Sequence, residues 1–221
     1  PRLRRQRQMC IRDRYWAGFG TAGQRCTSLG NLIIHKDIYD EFVAKLMDKV
    51  RSTRIGDSLE HEGVLYGSML SEKYAKDFLE VIQMCEQDGA TKLYGEGRIT
   101  SDNKPSGFVG TPEDGVFMWP HVYAGVTEGM RCFHEEMFGP AITLVKADNF
   151  EHGLHLANAS PYGLSSAIYT NDRLEAYRFK TGIKAGMTGI NNSTTGAEAH
   201  LPFGGAVSYT HLRAHETLAD R

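Results

Sequence analysis

The sequence contains no hydrophobic run of the roughly 18 residues that a membrane-spanning helix needs. Its N-terminus is rich in arginine and is not followed by an apolar core, so no secretory signal is visible. The four cysteines are far apart and form no closely spaced pair: Cys10, Cys26, Cys85 and Cys132. Since unpaired thiols are typical of a reducing compartment, we expect a cytoplasmic protein with no membrane partner.

The two ends of the chain differ from its middle. Residues 1–14 hold six arginines without a periodic apolar pattern, and residues 207–221 follow abruptly on a Gly-Gly turn. We expect both segments to be non-native flanks of translated adapter sequence and residues 15–206 to be the native domain. The alternative for residues 1–14 is a basic arm that binds nucleic acid.

Charge argues against a nucleic-acid partner. The first 14 residues carry a net charge of +5 and the last 15 carry none, so residues 15–206 have a net charge of −7, compared with −2 for the whole chain. An acidic domain offers no electrostatic attraction to a phosphate backbone.

Short apolar runs alternate with amphipathic segments along the middle of the chain. Strands are predicted over residues 31–35, 91–94, 107–110, 115–119, 121–126, 141–145, 165–169 and 186–190. Helices are predicted to begin at Asp37, Ser71, Asn149 and Asp172, and a turn is predicted at residues 56–57. This order predicts an α/β fold: a mainly parallel sheet with flanking helices, whose ligands lie beyond the carboxyl ends of the strands.

Cys26 follows a run of small residues over positions 16–27 (WAGFGTAGQRCT). Small residues let a substrate approach the sulfur closely, and a thiol is the best side-chain nucleophile near neutral pH. The alternative is a buried structural thiol. Cys85 lies on the apolar stripe of a predicted helix, so we expect it in the core.

Two later segments are candidates for binding sites. Residues 133–140 (FHEEMFGP) place two glutamates before an aromatic residue, and residues 190–205 run from a strand end into a Pro-Phe-Gly-Gly loop. By itself the acidic pair is more typical of a solvated helix start. The pairs Cys132 with His134 and His152 with His155 lack a partner pair at zinc spacing, so no metal site is predicted.

These segments together resemble the aldehyde dehydrogenase superfamily, and the resemblance extends from about Trp16 to Gly205. It implies a truncated catalytic (C-terminal) domain and a parent protein that oxidises a small aldehyde with NAD or NADP, as a homo-oligomer. Cys26 would attack the aldehyde to give a thiohemiacetal, which is oxidised to a thioester and then hydrolysed by water. The backbone N–H of Cys26 would stabilise the oxyanion.

The resemblance also assigns roles to individual side chains. Glu136 would accept hydrogen bonds from the nicotinamide ribose and Phe138 would pack near the nicotinamide ring. The substrate pocket would include the following residues: Arg25, Thr27, Asn192 and Phe203. The family's glutamate base and phosphate-binding loop lie upstream of the nucleophile segment and find no counterpart here, so we expect the fragment to be inactive alone.

The polar loop over residues 193–200 suggests a polar aldehyde, such as an acid semialdehyde held by Arg25 or His200. Two other functions remain open. One is a thiol hydrolase or acyltransferase that uses no cofactor. The other is an interaction module without catalysis.

Overall fold

The computed structural model describes residues 2–196 and 200–206. A four-stranded sheet lies at its centre, in the order β1-β6-β5-β3. These strands are β1 (Asn31–His35), β3 (Thr91–Tyr94), β5 (His121–Val126) and β6 (Ala141–Ala147). Strands β1, β6 and β5 are parallel, and only β3 at the edge is antiparallel. The prediction of a mainly parallel α/β sheet is confirmed.

Two smaller parallel sheets accompany the central one. Strand β2 (Ile55–Gly56) pairs with β4 (Phe108–Val109), and β7 (Ser165–Ile168) pairs with β8 (Met187–Ile190). Strand β6 is buried at every position except Lys146, as expected of a parallel strand covered on both faces.

The helices pack around these strands. They are α1 (Arg2–Phe19), α2 (Tyr39–Arg51), α3 (Glu72–Gln87), α4 (Arg131–His134), α5 (Phe150–Ala159) and α6 (Arg173–Gly182). Helix α3 buries Ala75, Phe78, Ile82 and Cys85 at three- and four-residue spacing. Cys85 is therefore a core residue, as predicted. No helix in the described part of the chain is long and apolar enough to cross a membrane.

Helix α1 begins inside residues 1–14, the segment predicted to be a non-native flank. Ile11 and Tyr15 belong to the main hydrophobic core, and the Tyr15 hydroxyl donates to Thr53 Oγ1 at 2.9 Å. The domain boundary at residue 15 stays a prediction.

Three local predictions were wrong. Residues 115–119 form no strand, because Met118 makes only an isolated bridge to Arg98. Gly56 lies in β2 rather than in a turn, since its partner Val109 is distant in sequence. Asp37 does not cap α2: it lies in a 3-10 turn over Lys36–Ile38, and its backbone N–H donates to His35 Nδ1.

Candidate active site

Cys26 opens onto a cleft of about 240 Å³. The cleft lies against the starts of β1 and β7, the loop after α4 and the segment after β8. It brings together four of the residues selected from sequence: Arg25, Cys26, Glu136 and Phe138. Segments more than 100 residues apart in sequence therefore share one cavity.

A strained turn precedes the thiol. Thr21, Ala22 and Gly23 are consecutive residues with positive φ of 56°, 54° and 65°. Left-handed conformation costs roughly 1–2 kcal/mol for a residue with a side chain, so two such residues in a row require support from their surroundings. A Cβ on Gly23 would lie 2.0 Å from the Gly139 oxygen. The turn thus abuts the Phe138-Gly139 segment directly.

The Arg25 side chain turns back onto α1. Its Nη2 donates to the Trp16 oxygen at 3.0 Å and to the Gly20 oxygen at 3.2 Å, and its guanidinium lies 5.2 Å from the Trp16 ring centroid. Arg25 is partly buried, which lowers the pKa of its guanidinium.

The Cys26 thiol itself is exposed and unbonded to other described side chains. Within the described residues its backbone N–H has no acceptor either, whereas the Ser28 N–H donates to the Arg25 oxygen at 2.9 Å. An accessible sulfur beside a free N–H donor is the arrangement that an acyl-accepting nucleophile requires.

Glu136 and Phe138 are positioned by the short helix α4. The Cys132 N–H donates to Asp88 Oδ2 at 3.0 Å, and Asn31 Nδ2 donates to the Phe133 oxygen at 2.8 Å. These bonds tie the segment to α3 and β1. Both Glu136 and Phe138 are exposed.

The Phe138 ring lies near another aromatic ring. It lies 6.3 Å from the Tyr74 ring on α3. The next residue has to be glycine, because a Cβ on Gly139 would lie only 2.1 Å from the Phe78 side chain. Phe133 and Trp119, by contrast, are buried in the core.

Polar atoms without partners gather on the inner wall of the cleft. Among the described residues, five buried side-chain polar atoms lack a hydrogen bond, and four of them belong to cleft-lining residues: Arg25 Nε, Ser28 Oγ, Ser166 Oγ and Thr194 Oγ1. An unsatisfied buried polar atom costs about 1–3 kcal/mol, so these residues make the cleft lining polar at a cost in stability. Sequence reasoning selected neither Ser28 nor Ser166, and it selected Thr194 only as part of the polar loop over residues 193–200.

Three predicted pocket residues do not line this cleft: Thr27, Asn192 and Phe203. Asn192 is exposed, and Phe203 is partly buried elsewhere. Residues 197–199 of the predicted entrance loop lie outside the described residues. Tyr162 lines the cleft and was not selected from the sequence; burial raises its pKa.

Metal-binding side chains do not assemble in the described part of the chain, where no group of three or more His, Cys, Asp or Glu could hold an ion. Cys132 is buried against α3, and His155 pairs with Glu128 at 2.9 Å.

The fold and cleft define an α/β domain that presents an exposed cysteine at a strained turn. The family model described as "Aldehyde dehydrogenase family" matches residues 7–208. The chain therefore belongs to the aldehyde dehydrogenase family, as its motifs predicted.

Curated relatives include semialdehyde dehydrogenases. The chain is 41% identical over 188 residues to an alpha-ketoglutarate semialdehyde dehydrogenase of Haloferax volcanii, covering 85% of this chain and 37% of the relative. It is 35% identical to a 2,5-dioxopentanoate dehydrogenase of Saccharolobus solfataricus, covering 85% and 36%. The chain thus spans little more than a third of the length of these relatives.

Solved structures show the same fold. Betaine aldehyde dehydrogenase from Staphylococcus aureus in complex with NAD⁺ matches with a TM-score of 0.82 and 26% identity, over 90% of this chain and 38% of that one.

Proposed function

We propose that this chain is part of an enzyme that oxidises an aldehyde to a carboxylate with NAD or NADP, using Cys26 as the nucleophile. The observation that carries the proposal is the single cleft that joins the Cys26 thiol to Glu136 and Phe138. An exposed thiol alone has many uses, whereas a thiol beside a carboxylate and an exposed aromatic ring suits a nicotinamide-dependent reaction.

Cys26 performs the covalent chemistry. Its thiolate adds to the planar aldehyde carbon and gives a tetrahedral thiohemiacetal, whose oxyanion accepts a hydrogen bond from the Cys26 N–H. When bound, the nicotinamide accepts a hydride from this carbon. The thioester that remains on Cys26 is then hydrolysed by water, which releases the carboxylate and regenerates the thiol.

We expect the cleft to hold the nicotinamide nucleoside of the cofactor. Glu136 would accept hydrogen bonds from two neighbouring ribose hydroxyls, a task for which a carboxylate is suited. Phe138, which is 38% exposed, offers its ring as a packing surface. A structural relative is described as a complex with NAD⁺, which supports this class of cofactor.

The substrate that we propose is a polar aldehyde such as an acid semialdehyde. The names of two relatives point to dicarbonyl acids, and three unpartnered hydroxyls line the cleft: Ser28, Ser166 and Thr194. The full-length protein should oxidise succinic semialdehyde at a higher kcat/KM than hexanal. A marked preference for hexanal would contradict this substrate class.

The proposal is tested in the full-length protein by following the absorbance of the reduced nicotinamide. Cys26→Ala should abolish turnover, and Glu136→Gln should raise KM for the cofactor about tenfold, since a charged hydrogen bond contributes roughly 1.5–3 kcal/mol. Glu62→Gln changes an exposed carboxylate outside the cleft and should leave KM unchanged. Acid release without nicotinamide would instead favour the thiol hydrolase alternative.

A further inference from the structure

We propose that Arg25 is a positioning residue for Cys26: it holds the strained turn that carries the nucleophile, and it does not bind the substrate's carboxylate. This inference rests on the proposed function, because it assigns Arg25 a role in the same reaction. It replaces the role that the sequence suggested for this cation.

The turn needs support because its backbone is unfavourable. Thr21 is β-branched and adopts φ 56° and ψ 33°, and Ala22 adopts φ 54° and ψ 31°. Such residues persist only where neighbouring groups fix them. The turn lies between the end of α1 and Cys26, so its geometry sets where the thiol points.

Arg25 provides one of these fixing interactions. A single guanidinium nitrogen bonds the carbonyl oxygens of Trp16 and Gly20, which lie at the C-terminal end of α1, where a positive charge is favourable. A Cβ on Gly20 would lie 2.9 Å from Arg25 Nη2 and 3.0 Å from the Trp16 ring, so glycine makes room for both groups. Arg25 Nε has no partner, but a carboxylate that bound the guanidinium in a bidentate way through Nε and Nη2 would displace these carbonyls.

Two further hydrogen bonds hold the chain on either side of Cys26. Gln24 Oε1 accepts from the Leu70 N–H at 3.0 Å, which ties the turn to the loop before α3. On the other side of Cys26, the Leu29 N–H donates to the Ala17 oxygen at 3.0 Å. Cys26 is thus held from both sides, and Arg25 is the charged member of this set.

The two roles of Arg25 differ in how its loss affects charged and neutral aldehydes. In the full-length protein, Arg25→Met should lower kcat about 10- to 100-fold for succinic semialdehyde and butanal alike, because misplacement of a nucleophile by about 1 Å costs that much. The ratio of the two KM values should not change. A rise in KM for succinic semialdehyde alone would overturn the proposal. Arg54→Met removes an exposed arginine outside the cleft and should have no effect.

Rescue variants test whether the role depends on the turn. Arg25→Lys keeps the charge but cannot hold both carbonyls while stacking on Trp16, so it should restore only part of kcat. Thr21→Gly, which relieves left-handed strain at an exposed position, should raise kcat in the Arg25→Met background more than in the wild type. Full restoration by lysine, or equal effects of Thr21→Gly in both backgrounds, would contradict positioning.

A measurement on the 221-residue chain separates this inference from the proposed function. Hydrogen exchange at the Ser28 and Leu29 amides should be faster in Arg25→Met than in the wild type, since both amides bond to backbone oxygens that flank the turn. If the full-length protein oxidised neither aldehyde, the proposed function would be wrong. The hydrogen-exchange rates would still show whether Arg25 stabilises the turn. Unchanged exchange would overturn the positioning role.

Discussion

His121 is a buried histidine whose two ring nitrogens are both occupied. Nδ1 donates to the Trp119 oxygen at 2.8 Å, and Nε2 accepts from the Gly97 N–H at 3.0 Å. This pattern requires the neutral ring, and burial lowers the pKa of His121 to about 4. The residue therefore acts as a structural link between the core and the loop after β3, and it contributes no charge at neutral pH.

The lowered pKa of His121 predicts a loss of stability in acid. An unfolded histidine titrates near pH 6.5, so the unfolded chain binds the proton first and stability falls as the pH drops from about 6.5 to 4. The loss should be about 3 kcal/mol in the free energy of unfolding, measured by urea denaturation. His121→Gln should lack this component of the pH dependence. Identical pH profiles for the variant and the wild type would rule out His121 as the cause.

Substitution of Gly23 should destabilise the fold through a backbone clash. Gly23→Ala places a methyl group 2.0 Å from the Gly139 oxygen, which should cost about 3 kcal/mol of unfolding free energy. Gly63 also has a positive φ, of 74°, but a Cβ there meets nothing within 4 Å, so Gly63→Ala should cost only about 1 kcal/mol. Equal losses for the two variants would show that Gly139 does not limit the position of the turn.

The sequence selected the main residues of the site but not its inner wall. Cys26, Glu136 and Phe138 belong to segments with recognisable patterns, and these three do line one cleft. Ser166 was not selected and Thr194 was selected only as part of a polar loop, because single hydroxyls are common on any surface. Their placement depends on pairing between β7 and β8, which the local sequence does not reveal.

Among the secondary-structure elements, those with a strong local signal were predicted closely. Strand β1 spans the predicted residues, and α5 and α6 begin directly after Asn149 and Asp172, as their capping side chains indicated. The secondary-structure predictions that were wrong concern short segments. Residues 115–119 lie between Pro112 and Pro120 and have no long strand beside them to pair with. Tertiary packing determines whether such a partner exists, so the local sequence does not reveal it.

The cap of α6 predicts a measurable effect on stability. Asp172 accepts from the Leu174 N–H at 2.7 Å and from the Glu175 N–H at 3.3 Å, so Asp172→Ala should cost about 1 kcal/mol in urea denaturation. Ser71 occupies the same position before α3 without a capping bond, so Ser71→Ala should cost much less. Similar losses at both positions would contradict this assignment.

At the scale of the whole molecule, the chain corresponds to a little over a third of its relatives' length. The described residues supply the nucleophile and the nicotinamide-ribose side of the proposed site, but no carboxylate among them is hydrogen-bonded to Cys26. We expect the 221-residue chain by itself to show no NAD- or NADP-linked oxidation of propanal. Reduced nicotinamide formed by the wild-type chain, and abolished by Cys26→Ala, would contradict this expectation.

The most direct test of Cys26 as the acyl acceptor is to trap the thioester. The full-length protein is mixed with succinic semialdehyde and NAD⁺ or NADP⁺, quenched in acid during turnover, digested and examined by mass spectrometry. We predict that the peptide carrying Cys26 gains the mass of the acyl group, only when a nicotinamide is present. Continued turnover with Cys26 unmodified, or an acyl group on another cysteine, would contradict its role as the nucleophile.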